Sequence, residues 1–197
     1  MPMSSRSMRA GAIALAAVMM SSMVACSGPS ASEKASASFH NSVSAARDAL
    51  FEEAKVTNQG FFDLDESLGL AGGVTELPAE MDQYVMGNAR GYVENLLQMV
   101  HRDHERTAPN TKAILIGPAV YDGPKMPALA EADARAEIVI ERCIDARQSP
   151  QLNAQGNPIE GSDNVLHQIL FLDHDKDGKL KIFETTSGKV DSCPLAA

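Results

Sequence analysis

Residues 173 to 184, DHDKDGKLKIFE, hold the densest set of hard oxygen ligands in the chain. Asp173, Asp175 and Asp177 stand at positions 1, 3 and 5 of a twelve-residue loop, Gly178 at position 6, Leu180 at the apolar position 8 and Glu184 at position 12. Flanked by helices, that spacing surrounds Ca²⁺ with three carboxylates and a bidentate fourth, the EF-hand arrangement. Three lysines oppose it: Lys176 and Lys179 beside the aspartates, and Lys181 where position 9 should offer a ligand or its water. The segment after Glu184, TTSGKVDSCP, lacks the character of an exiting helix. The alternative is a hairpin turning at Asp175, Lys176, Asp177 and Gly178, with the glycine in the left-handed conformation. Strand periodicity on both sides favours the hairpin. Glu184 then lies roughly 20 Å along a strand from the turn, out of reach of an ion held there. The expectation is no cofactor beyond a weak Ca²⁺ site.

His101 and His104, three apart with Asp103 between them, offer two metal ligands on one helix face or a solvated cationic helix end. The second reading is favoured, since spacing implies no further ligand. No glycine-rich phosphate loop, His-Glu-x-x-His or Gly-x-Ser-x-Gly element is present.

The N-terminus carries a different chemistry. Arg6 and Arg9 precede an apolar run, residues 10 to 20 (AGAIALAAVMM), and small residues lead into Cys26. The run is short of the roughly 20 residues that cross a bilayer. The segment resembles a bacterial lipoprotein signal ending in Met23, Val24, Ala25 and Cys26, with Met23 where that family usually has Leu. The resemblance implies a signal peptide over residues 1–25 and acylation of Cys26, which becomes the mature N-terminus on the extracytoplasmic face of the cell membrane. Cleavage there removes Arg6 and Arg9 and takes the net charge from −9 to −11. That sign argues against nucleic acid, which needs clustered Lys and Arg, and leaves the acyl chains as the membrane attachment. With Cys26 lipidated, Cys143 and Cys193 remain, an even pair in an oxidising compartment and the natural disulfide.

Residues 26–38 (CSGPSASEKASAS) read as a flexible tether, and a single domain follows over 39–197. Phe39, Val43, Ala46 and Leu50 mark an amphipathic helix that Asn58 and Gly60 stop. Residues 61 to 77 show no period and read as irregular. Pro78 opens a second helix with the stripe Met81, Val85, Ala89, Tyr92, Leu96 and Met99, interrupted by Gly87 and Gly91. Alternation over 112–120, 136–144, 165–172 and 179–185 predicts four strands. Helices followed by strands predict an α+β fold, the N-terminal helices on one face of a curved antiparallel sheet of about four strands.

From about residue 84 to 195 the layout AEIVIERCID, NAQGNPI, LHQILFLDHDKDGKLKIFE and DSC is similar to small lipoproteins of high-GC Gram-positive bacteria with the nuclear-transport-factor-like (cystatin-like) fold. In that family a strand ends in Cys-x-Asp, matched by Cys143, Ile144 and Asp145, and Trp often follows the Asp-Gly turn, where Leu180 stands here. The resemblance implies a non-catalytic binding or interaction module whose partner is an envelope protein or a small ligand. A calcium-binding module is the alternative. A pocket enzyme lined by Tyr84, Tyr92 and Asp145 is the third.

Overall fold

The computed structural model describes residues 31–109, 112–118, 123 and 125–195. The signal segment 1–25 and Cys26 lie outside the described residues. The chain divides into Met1–His40 and Asn41–Ala197. Of the first unit only helical backbone from Ala31 is described, so residues 31–38 of the expected tether are helical.

Helix α1 spans Ala31–Leu70 and does not stop at Asn58 and Gly60. Both residues are poor helix formers placed for tertiary contacts. Asn58 is fully buried against the sheet, and a Cβ at Gly60 would lie 2.6 Å from Cζ of the Tyr84 ring. Packing overrides propensity here, so 61–70, expected to be irregular, forms the last turns of the helix. A glycine pair ends it: Gly72 and Gly73 have φ of 91° and 74°, and Gly73 N–H donates to the Leu68 carbonyl at 2.9 Å.

The expected second helix is two pieces, a 3₁₀ turn over Ala79–Gln83 and α2 over Gly87–Arg102. Between them Val85 forms a parallel bridge with Ile182, and Met86 N–H donates to the Ile182 carbonyl at 2.9 Å. Backbone pairing with the sheet competes there with helix continuation. The buried face of α2 is Ala89, Val93, Leu97 and Val100, so the second half of the expected stripe is displaced by one residue, and Tyr92 and Met99 are exposed.

The strands are β1 (Arg106–Thr107), β2 (Lys112–Pro118), β3 (Ile138–Asp145), β4 (Gln151–Leu152), β5 (Val165–His174) and β6 (Leu180–Val190). β2, β3, β5 and β6 form an antiparallel sheet in that order, and β1 pairs with β4 in a small second sheet. The fold is α+β. One face of the main sheet packs Ile140, Leu170, Leu172 and Ile182 on α1 and α2, which contribute Ala54, Phe61, Val93 and Leu97. The opposite face carries Phe171 and Phe183, covered by Ala132 and Leu129 of α3 (Pro127–Arg135), a helix in a stretch for which no element was expected. Cys143 of β3 and Cys193 of the C-terminal tail lie at disulfide distance, with Cα atoms 5.8 Å apart. Among the described residues no helix is long and apolar enough to cross a membrane.

Candidate functional site

Strand alternation puts Ile138, Ile140 and Ile144 of β3 on the face toward α1 and α2. Arg142 is in phase with them and therefore enters the core, where it is only 2% exposed. Its cross-strand neighbour is Gln168 of β5. Arg142 Nε donates to Gln168 Oε1 at 2.6 Å and Nη1 donates to Asn58 Oδ1 of α1 at 2.8 Å. The guanidinium also lies over the Phe61 ring, 5.0 Å from its centroid. Asn58 Nδ2 has no hydrogen-bond partner among the described residues.

Asp65, one helical turn beyond Phe61, is the acid that faces this cation. It is half-buried, and its attraction to Arg142 is Coulombic without a hydrogen bond between them. Burial raises the Asp65 carboxyl above the ordinary range, an effect only partly offset by Arg142. Burial likewise pulls Arg142 down to about 10, against the opposing pull of Asp65. A tight ion pair would move the two groups the other way, Asp down and Arg up. Desolvation therefore outweighs mutual attraction at both, and the two charges do not neutralise each other at contact.

The two groups border a cavity of about 140 Å³ with apolar walls that include Phe61, Leu96, Leu170 and Ile182. Exposed Tyr92 also lines it, and Thr185 Oγ1, buried in the lining, has no hydrogen-bond partner among the described residues. A second cleft of about 370 Å³ shares Asp65, Ile144 and Leu166 with the first and is more polar, bordered by Glu66, Asn164 and Lys189. The arrangement is one cation and one acid bordering a largely apolar recess, a geometry suited to orienting a small ligand.

The twelve-residue acidic loop is the β5–β6 hairpin, not a helix–loop–helix. Asp175 closes the turn, accepting from the N–H groups of Asp177 (2.9 Å) and Lys179 (3.0 Å) and from Lys181 Nζ (2.6 Å). Those donors, Lys181 foremost, hold its carboxyl at about 2. Asp173 accepts from Arg135 Nε at 2.9 Å, and Glu184 accepts from Asn88 Nδ2 at 2.8 Å. Asp173, Asp175 and Glu184 are thus committed to different partners on different elements, and the set does not assemble as the calcium loop requires. Among the described residues no group of three or more His, Cys, Asp or Glu side chains is placed to hold a metal ion.

Of the residues expected to line an enzyme pocket, Tyr84 packs against the core beside Gly60. Asp145 lines neither cavity and pairs with Arg147 at 2.7 Å, which holds it at about 2. Tyr92 alone borders the recess. His101 lies in the last turn of α2, and His104 follows it with φ 56°, outside the helix. Arg142, Asp65 and Gln168, which line the recess, and Asn58, which holds Arg142, were not singled out from sequence as site residues. Their signal is phase: each occupies a position that the apolar periodicity of its own strand or helix assigns to the core. Compared with protein families, curated proteins and solved structures, the chain matches none.

Proposed function

We propose that the chain is a lipid-anchored protein of the extracytoplasmic membrane face, tethered through Cys26, whose α+β domain is a non-catalytic binding module. The ligand enters the recess between α1, α2 and the sheet. The observation that carries this is Arg142, a buried guanidinium hydrogen-bonded only to neutral amides and bordering a cavity. A buried charge without a contacting counter-charge is costly and is retained where something recognises it. With a pKa of about 10, Arg142 remains charged at neutral pH and offers recognition rather than proton transfer.

Support for the anchor is the leader itself and the third cysteine left over when Cys143 faces Cys193. The nuclear-transport-factor-like (cystatin-like) resemblance points the same way, because helices over a curved sheet enclose a pocket, an analogy of fold alone.

Two measurements test the proposal. Mass spectrometry of the membrane fraction should find diacylglycerol on an N-terminal Cys26, and Cys26→Ala should release or misprocess the protein. Unchanged membrane retention would refute the anchor. Native mass spectrometry of the full chain taken from the envelope should show a small-molecule adduct that Leu96→Trp, which fills the recess, removes. An adduct indifferent to Leu96→Trp would place the ligand elsewhere.

A further inference from the structure

A guanidinium carries five N–H donors in a rigid fork. Arg142 directs Nε to Gln168 and Nη1 to Asn58, and Nη2 makes no hydrogen bond among the described residues. Among the described residues Arg142 is the one cation lining the 140 Å³ cavity, and Asp65 is the one acid. These features constrain a ligand strongly. An amine would meet the like charge of Arg142. A phosphate dianion would bring a second negative charge toward Asp65 with no second cation to receive it. A neutral ligand would leave the guanidinium without a contacting counter-charge.

A single negative charge fits, and the walls specify the rest. Phe61, Leu96, Leu170 and Ile182 are apolar, and a cavity on the order of 150 Å³ holds a benzene ring. We infer that the recess binds a compact monocarboxylic acid, its carboxylate on the free edge of Arg142 and its apolar body, about the size of one aromatic ring, against Leu96, Leu170 and Ile182. The assignment rests on the recess being a ligand site. Asp65 is compatible with it, because it makes no hydrogen bond to Arg142 and leaves the guanidinium without a contacting counter-charge. Thr185 Oγ1 supplies a further unpartnered hydroxyl in the lining.

The test is a charge series on one ring. Calorimetric titration of the full chain with benzoate, benzamide and benzylamine should give binding by benzoate, with benzamide weaker by about tenfold or more, as expected when a charge-assisted hydrogen bond is lost. Benzylamine should not bind. The Arg142 Nε–H resonance should shift on benzoate addition. Asp65→Asn, which removes the competing negative charge and preserves shape, should leave benzoate binding equal or tighter.

Equal binding of benzoate and benzamide would overturn the acid assignment and leave the recess standing as a ligand site. Benzylamine binding that Asp65→Asn abolishes would reverse the assigned charge. If none of the three binds while the envelope-derived adduct persists and Leu96→Trp removes it, the acid is refuted alone. If that adduct is missing as well, the ligand site falls with it.

Discussion

Adding one methyl group at Gly73 should destabilise the domain severely, whereas the same change at Gly91 should strengthen it. Gly73 sits where the end of α1 meets α2 with φ of 74°, and a Cβ there would collide with the Leu97 carbonyl and lie 2.6 Å from the His101 backbone nitrogen. Neither obstacle is a side-chain tip that can swing aside. The left-handed conformation costs about 1–2 kcal/mol for an L-residue, and forcing two backbones apart in a packed interface costs about 1–3 kcal/mol more. Gly73→Ala should therefore lose about 2–5 kcal/mol, a fall of roughly 1–2 M in urea midpoint for an ordinary slope. Gly91 lies inside α2, where a Cβ meets nothing within 4 Å. Gly91→Ala should gain about 0.5–1 kcal/mol from helix propensity. Urea unfolding of the full chain followed by circular dichroism reads both. A Gly73→Ala loss under about 1 kcal/mol, or two shifts of the same sign, would refute the packing of α1 against α2 that shapes the recess.

Three further outcomes follow from the fold. Cys193→Ala should cost about 4 kcal/mol in the same assay, the chain-entropy value for opening a loop of 50 residues; no loss, or free alkylation of both thiols in folded protein, would contradict a bond there. Asp175 and Asp145 are held at about 2, below their unfolded values, so their contribution to stability is whole above about pH 4 and disappears as the pH falls through about 2. Asp175→Asn should therefore lower the midpoint throughout the neutral and alkaline range, flatten the acid side of the stability profile and converge on the unaltered chain near pH 2, which a series of urea midpoints from pH 2 to 8 checks. Calorimetry with Ca²⁺ should give millimolar binding or none, indifferent to Glu184→Gln; a micromolar site lost in that variant would restore the calcium loop.

The four strands of the main sheet were legible because alternation is a local signal, whereas β1 and β4, two residues each, are too short to show one; the hairpin at Asp175 to Gly178 followed from the same alternation and one glycine. The end of α1 was not. Asn58 and Gly60 break a helix by propensity, and only their distant contacts, Arg142 for one and the Tyr84 ring for the other, explain why the helix passes through them. The shifted stripe of α2 has a related cause, since its start is set by the backbone pairing of Val85 and Met86 with Ile182, 97 and 96 positions away along the chain. α3 is short, Ala-rich and weakly patterned, and its burial comes from Phe171 and Phe183 on the far sheet face. The recess was partly readable: a charged residue in phase with Ile138, Ile140 and Ile144 is a local anomaly. That Asp65 and Asn58 converge on the same guanidinium depends on how α1 crosses the sheet, and no spacing within one element encodes it.

Arg142 ties stability to function. Burial brings its pKa down to about 10 from above 12, and at about 1.4 kcal/mol per pH unit that is a penalty on the order of 3 kcal/mol for holding the charge inside the fold at neutral pH. The Asp65 shift has the same sense: its folded value is raised, so its ionised form weakens the domain as the pH climbs through and above the ordinary carboxylate range. Two groups that each oppose folding, one buried and one half-buried against the same cavity, are a poor solution for a structural core and a reasonable one for a binding site. A carboxylate that contacts Arg142 supplies the missing counter-charge, so occupancy should raise the stability of the domain logarithmically with ligand concentration. The energy that burial of Arg142 withholds from folding is then available for binding.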